Sequence, residues 1–195
     1  MRVIAGTFRS RRLKSLPGMD IRPTSDRLRE TLFNVLAAGD GTLTGKVFFD
    51  LYAGTGAVGI EAISRGAAMV YLVESSKQAY DLIQENLRTL SITSCFEALR
   101  CEVSPAIKRL DARGIRGDVF FLDPPYRMES EYTSTLQALS SSKLLRDGAI
   151  VIAEHLKKFT PPDQVGALER FRTLKQGDAA LTFWRAGTFP KPSST

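Results

Sequence analysis

The sequence predicts an α/β fold built on a mostly parallel sheet. Three observations carry this. From Lys46 onward, short apolar runs alternate with helical patterns; the runs are continuously apolar; and a glycine-rich turn follows the first of them directly. Continuous apolar strands separated by helices are what a parallel sheet covered on both faces requires. At 195 residues, 43% hydrophobic and 25% charged, the chain has the composition of a folded domain. Disordered, collagen-like and disulfide-framework classes are excluded.

The elements follow in order. Residues 2–16, RVIAGTFRSRRLKSL, read as two short extended runs around a basic turn, a β-hairpin. Pro17-Gly18 breaks the chain, and Thr24 or Ser25 can cap a helix carrying Leu28, Leu32, Phe33, Val35 and Leu36, which ends before Gly39 and Gly41. A strand at 46–52 leads through the glycine turn into a helix over 57–66. A strand at 69–74 precedes a helix whose inward positions are Ala79, Leu82, Ile83, Asn86, Leu87 and Leu90. A weaker strand at 96–102 is followed by an amphipathic helix to Arg113, then a strand at 118–123, a helix near 130–141 and a strand at 148–154. Last come ERFRTLKQ, the turn at Gly177-Asp178 and AALTFWRA, an antiparallel hairpin closing the sheet. The expected organisation is a basic extension over 1–24, a catalytic domain over 25–190 and a disordered tail over 191–195.

The net charge of +6 is concentrated at the front. Residues 1–30 hold eight Lys/Arg against three acids, whereas the rest is nearly neutral. Such a patch suits a polyanionic partner. Two cysteines, Cys95 and Cys101, and one histidine, His155, cannot make a four-ligand zinc site, so no metal is expected. Spaced six apart, the thiols are expected on one face of a strand, buried and reduced. No apolar run reaches the roughly 18 residues a membrane helix needs, and no apolar stretch follows the N-terminal arginines as in a signal peptide. A cytoplasmic monomer is expected.

Two loops carry chemistry. The turn Asp50-Leu51-Tyr52-Ala53-Gly54-Thr55-Gly56-Ala57-Val58-Gly59 matches G-x-G-x-x-G between strand and helix. Its glycines permit a tight turn, close approach to a ligand and close helix–strand packing. Glu74, ending the next strand, is placed to accept from both hydroxyls of a ribose. Alone, this constellation also fits a nicotinamide-dependent dehydrogenase. Asp50, however, would repel a diphosphate and tolerate an ammonium. The second loop is Asp123-Pro124-Pro125-Tyr126 after the apolar run 118–122. Its prolines fix two φ angles and remove donors. What remains is a stiff set of acceptors beside an aromatic plate. A planar base bearing an exocyclic amine is the complement, its two N–H bonds accepted and its nitrogen held as a nucleophile.

The DPPY loop with this glycine turn resembles the class I, S-adenosylmethionine-dependent amino methyltransferases. More narrowly, Arg22-Pro23-Thr24, Arg27-Leu28-Arg29-Glu30-Thr31-Leu32-Phe33-Asn34, the glycine turn through Ala62, and Ser64-Arg65-Gly66-Ala67 resemble the RsmD-type family, which methylates the exocyclic N2 of a guanine in 16S ribosomal RNA. The resemblance implies a Rossmann-like fold of seven strands with an antiparallel C-terminal hairpin and an N-terminal β-hairpin extension. It implies Asp50, Ala53, Gly54, Thr55 and Gly56 around the methionine part of the cofactor, Glu74 on the ribose and Glu102 by the adenine, where relatives usually have Asp. Asp123, Pro124, Pro125 and Tyr126 would take the target guanine, and Arg9, Arg11, Arg12, Lys14, Arg22 and Arg127 would hold ribosomal RNA or the small subunit through its phosphates.

Other readings stay open. DPPY also marks adenine-N6 and cytosine-N4 methyltransferases of DNA or RNA, although there is room for only two β-α units between Gly59 and Asp123. A non-catalytic RNA-binding assembly factor would keep the basic front without the chemistry. Phe48, Phe49, Phe120, Phe121 and Trp184 are expected in the core, and His155 in a structural role.

Overall fold

The computed structural model describes residues 1–15, 26–39, 42–125 and 127–187. The expected helix caps Thr24 and Ser25, together with Arg22, Tyr126 and the tail 191–195, lie outside them. The elements in chain order are α1 (Asp26–Gly39), β1 (Val47–Asp50), α2 (Ala57–Ser64), β2 (Met69–Val73), α3 (Lys77–Thr89), β3 (Phe96–Leu99) and α4 (Val103–Ala112). They continue as β4 (Gly117–Leu122), α5 (Glu129–Ser140), β5 (Leu145–Leu156), β6 (Gln164–Val165), β7 (Leu168–Gln176) and β8 (Ala179–Ala186). This is an α/β fold with parallel pairing in its leading strands and antiparallel pairing in its last ones.

The chain forms two compact units, Met1–Ala106 and Ile107–Thr195. In the first, β1 and β3 flank β2 in parallel, with Asp50 opposite Leu72 and Val73 opposite Leu99. Parallel pairing of successive strands demands a crossover, which α2 and α3 supply. α2 packs on β1 and β2, and α3 on β3. The core of this unit holds Phe33, Phe48, Phe49, Ile60, Val70, Leu72 and Ile83, all buried. Phe49 stacks on Tyr71 at 4.8 Å between ring centroids. α3 buries every inward position expected of it, and Ser76 caps its first turn by accepting the Ala79 N–H.

In the second unit β4 runs parallel to β5, which pairs antiparallel with β8; β8 pairs with β7, and β7 with β6. β5 is longer than expected. Its first residues pair with Gly117 across a register shift before the apolar run 149–153 aligns with β4. The two-residue β6 makes eight strands among the described residues where seven are expected. Two residues carry too little apolar pattern to be legible. Phe120, Phe121 and Trp184 are buried as expected, and the Trp184 Nε1–H donates to the Pro162 carbonyl at 2.9 Å.

Two expectations need correction. The N-terminal hairpin forms a single antiparallel bridge, Arg2 to Arg12, rather than a strand ladder. Residues 7–10 make the turn, with Ser10 left-handed (φ 68°), and beyond the bridge the arms are joined by backbone bonds from the Val3 N–H to Arg11, the Ser10 N–H to Val3 and the Leu13 N–H to Met1. The cysteines do not share a strand. Cys95 precedes β3 with φ 66° and is exposed, Cys101 follows it half-buried, and neither is in a disulfide.

Candidate active site

The glycine turn begins where β1 ends. Asp50 is buried, and its Oδ2 accepts the Gly59 N–H at 2.9 Å, so the strand's last side chain ties down the first turn of α2. Burial pushes this carboxyl up to about 7; the Gly59 N–H opposes the rise, and the charge of Glu74 adds to it. Two left-handed glycines, Gly54 (φ 54°) and Gly56 (φ 78°), reverse the chain between strand and helix. A Cβ on Gly54 would meet nothing within 4 Å, so the turn leaves open space at that residue. At Gly59 the opposite holds. A Cβ there would come within 2.7 Å of Leu72 Cδ2 and 3.2 Å of Val70 Cγ1, so this glycine lets α2 lie directly on β2.

Glu74, one residue beyond β2, is half-buried. Its Oε2 accepts the Gly54 N–H and its Oε1 the Ser76 N–H, both at 2.8 Å. Each carboxylate oxygen has two lone pairs, so Glu74 fixes the turn and keeps acceptor capacity for a hydroxyl. Glu102 is exposed just before α4.

The second loop leaves the end of β4. Asp123 is half-buried, Pro124 buried, and Pro125 and Arg127 exposed. The Pro125 carbonyl accepts the Met128 N–H at 2.8 Å, and the buried Tyr132 hydroxyl lies 3.4 Å from the Pro124 carbonyl and 2.9 Å from that of Glu154. The carbonyls are therefore less vacant than the sequence suggests, although each retains a lone pair. Tyr132 was not singled out in the sequence, where it reads as an ordinary apolar position of α5.

The basic segment is held by buried polar groups of α1, α2 and α3, of which the sequence marked only Asn86 as inward-facing. Buried Glu61 on α2 accepts the Ile4 and Ala5 N–H groups at 2.7 and 3.0 Å and the Arg65 Nε–H at 2.7 Å. The Ser64 hydroxyl donates to the Ala5 carbonyl and accepts the Phe8 N–H. Buried Asn86 on α3 grips Lys14 through both its N–H and its carbonyl. Buried Arg29 donates to the Arg2 carbonyl and pairs with Asp26, and burial lowers the pKa of its guanidinium. Apolar Val3 and Leu13 face inward, which leaves Arg9, Arg11, Arg12 and Lys14 exposed. Arg11 reaches the Thr89 carbonyl and Lys14 pairs with Glu85. Arg9 and Arg12 have no ion-pair partner among the described residues.

His155 is structural: buried, Nδ1 2.8 Å from the Leu156 carbonyl and Nε2 2.8 Å from the Thr182 hydroxyl, with burial lowering its pKa. Among the described residues there is no group of three His, Cys, Asp or Glu side chains arranged for a metal, and no helix long and apolar enough to cross a membrane.

A glycine turn with a carboxylate at each strand end, and a proline-stiffened acceptor loop after β4, invite comparison with known methyltransferases. The family described as conserved hypothetical protein 95 matches residues 1–185. The chain belongs to this RsmD-type methyltransferase family. It is 34% identical over 154 residues to ribosomal RNA small subunit methyltransferase D of Escherichia coli strain K12, covering 79% of this chain and 74% of that one. It is 32% identical over 187 residues to YlbH of Bacillus subtilis, covering 95% and 98%. The solved structure of yhhF from Escherichia coli superposes with a TM-score of 0.82 at 29% identity, covering 96% of this chain and 98% of that one.

Proposed function

We propose that this protein transfers a methyl group from S-adenosylmethionine to the exocyclic N2 amine of a guanine in small-subunit ribosomal RNA. Family membership makes it a methyltransferase. The observation that carries the finer reading is the acceptor-rich loop Asp123-Pro124-Pro125 at the end of β4, in a chain whose relatives are named for the small ribosomal subunit.

The glycine turn fits the cofactor. The space at Gly54 would admit it, and the residues Ala53 to Gly56 would line its methionine part. Asp50, poised near neutrality by burial, would answer the ammonium, and the spare lone pairs of Glu74 the ribose hydroxyls. Exposed Glu102 would stand by the adenine amine. When bound, S-adenosylmethionine supplies a methyl group on a positively charged sulfur.

The residues of the chain do the rest. The Asp123 carboxylate and the Pro124 carbonyl accept the two amine hydrogens, turning the nitrogen lone pair out of conjugation and toward the methyl. Tyr126 stacks on the base. These groups act by orientation and electrostatic preorganisation. The methylated nitrogen then loses its proton to Asp123 or water. N2 of a paired guanine lies in the minor groove, so the base must leave its stack to reach the loop. Arg9, Arg11, Arg12, Lys14, Arg22 and Arg127 hold the phosphates, with residues 1–24 as the RNA-holding extension of a methyltransferase domain over 25–190. We place the protein in the cytoplasm, acting as a monomer.

Asp123→Ala tests the assignment. Methyl transfer should fall by two orders of magnitude or more, of the size seen when one preorganised group is removed from an active site, while calorimetry shows S-adenosylmethionine still bound. Near-normal turnover would refute the role of Asp123.

A further inference from the structure

We propose that Asn86 is a positioning residue that joins the glycine turn to the basic N-terminal segment, so that cofactor on one and RNA on the other strengthen each other's binding. The inference rests on the reading above, with cofactor at the turn and RNA on the segment. Asn86 is buried in α3, and its side-chain amide uses both donor hydrogens and its oxygen. Oδ1 accepts the Lys14 N–H at 2.8 Å; Nδ2 donates to the Lys14 carbonyl at 3.1 Å and to the Thr55 carbonyl at 3.0 Å. One side chain thus clasps both polar backbone groups of Lys14, as a neighbouring strand would, and holds the glycine turn with its remaining donor.

What it holds there is the middle of the turn, between the Gly54 N–H bound to Glu74 and the Gly59 N–H bound to Asp50. Thr55 lies between two left-handed glycines, and Gly56, the residue capping α2, offers no side chain to anchor the turn. The peptide joining Thr55 to Gly56 is held on both sides: its N–H donates to the Ala53 carbonyl at 2.7 Å and its carbonyl accepts from Asn86. The basic segment touches the same residue directly, with the Thr55 hydroxyl 3.8 Å from the Met1 sulfur. On the other side, Lys14 stands beside Arg12, in the stretch that presents Arg9, Arg11 and Arg12 to solvent.

The coupling follows from burial. If the segment lifts away, a buried amide loses two of its three partners, and buried polar groups are costly to leave unpaired. The docked segment and the ordered turn are therefore favoured together. Any ligand that binds only the ordered form of one stabilises the other, and the effect is reciprocal.

The test measures that reciprocity in the full-length chain. S-adenosylhomocysteine is titrated calorimetrically with and without a saturating unmethylated 16S rRNA transcript, in the unaltered protein and in Asn86→Ala. The RNA should tighten S-adenosylhomocysteine binding by about fivefold or more in the unaltered protein. In Asn86→Ala the ratio should fall to near one although each ligand still binds alone. A ratio of one in the unaltered protein, or an undiminished ratio in the variant, would overturn the proposal.

Amide exchange on the unaltered protein keeps the test decisive if the variant does not fold. S-adenosylhomocysteine should slow exchange at Gly54 and Gly59 and, through Asn86, at Lys14. Slowing at the glycines alone overturns the coupling and spares the cofactor reading. No slowing at the glycines overturns both.

Discussion

Asp50→Asn should stabilise the ligand-free protein while weakening its cofactor site. The Asp50 carboxyl is buried and pushed from 3.8 up to about 7, chiefly by loss of water. Its hydrogen bond from the Gly59 N–H needs only an oxygen acceptor, which asparagine keeps. The substitution therefore removes the buried charge and leaves the contact. The direction with pH follows from proton linkage. Between about pH 4 and 7 the folded protein holds a proton on Asp50 that the unfolded chain has released. Rising pH thus costs the folded state, by about 1.4 kcal/mol per pH unit across that window, and no more above it. A shift of about three units amounts to roughly 4 kcal/mol at pH 8. The assay is urea unfolding of both proteins from about pH 4.5 to 8. The stability advantage of Asp50→Asn should grow with pH and level off above about 7. In the same samples S-adenosylhomocysteine should bind the variant more weakly, because the anionic partner proposed for its ammonium is gone. An advantage that does not change with pH would refute the claim that Asp50 titrates near neutrality in the fold.

Two further predictions test the packing and the RNA contact. Gly59→Ala forces a methyl to within 2.7 Å of Leu72 Cδ2 and 3.1 Å of its Cγ, with Val70 alongside; overpacking of this kind costs about 1–3 kcal/mol, and an unchanged urea midpoint would show that α2 can move off β2 at no cost. Reversing Arg9 and Arg12 to Glu should raise the RNA KM and flatten its salt dependence with S-adenosylmethionine affinity unchanged; unaltered RNA affinity would mean that these side chains serve only solvation.

The parts of the fold legible in the sequence are those where one residue type repeats or one backbone geometry is demanded. Phe48-Phe49 and Phe120-Phe121 lie in strands covered on both faces, so the apolar run itself reports the burial. Gly54 and Gly56 need positive φ, and Gly59 has no room for a Cβ, so the turn announces itself. The polar anchors were not legible. Asn86 was expected on the inward face of its helix, but what it binds was not legible, and Glu61 and Ser64 were not singled out as anchors, because their partners, the backbone groups of residues 4–8 and 14, are 56 to 72 positions away in sequence. Ser64, Glu61 and Gly6 do leave a trace, since a Cβ on Gly6 would run into the Ser64 carbonyl. That constraint becomes visible only once the segment has docked. Cys95 and Cys101 misled for the converse reason. Equal spacing implies a shared face only if the chain stays extended, and β3 is four residues long.

The glycine turn and the acceptor loop were each legible in the sequence, and their supports less so. Asp50 was read as facing a ligand, and the structure adds that it also ties α2 to β1. The Pro124 and Pro125 carbonyls were read as vacant acceptors, whereas Tyr132 and the Met128 N–H already engage them. No local pattern in α5 marks Tyr132 for that duty.

The central claim is methylation of guanine N2 in small-subunit RNA, and the product tests it most directly. Unmethylated 16S ribosomal RNA, free or in partly assembled subunits, is incubated with the protein and labelled S-adenosylmethionine, then digested to nucleosides. The label should appear in N2-methylguanosine and be absent when Asp123→Ala replaces the unaltered protein. Label in N6-methyladenosine or N4-methylcytidine, or no transfer to either substrate, would contradict it.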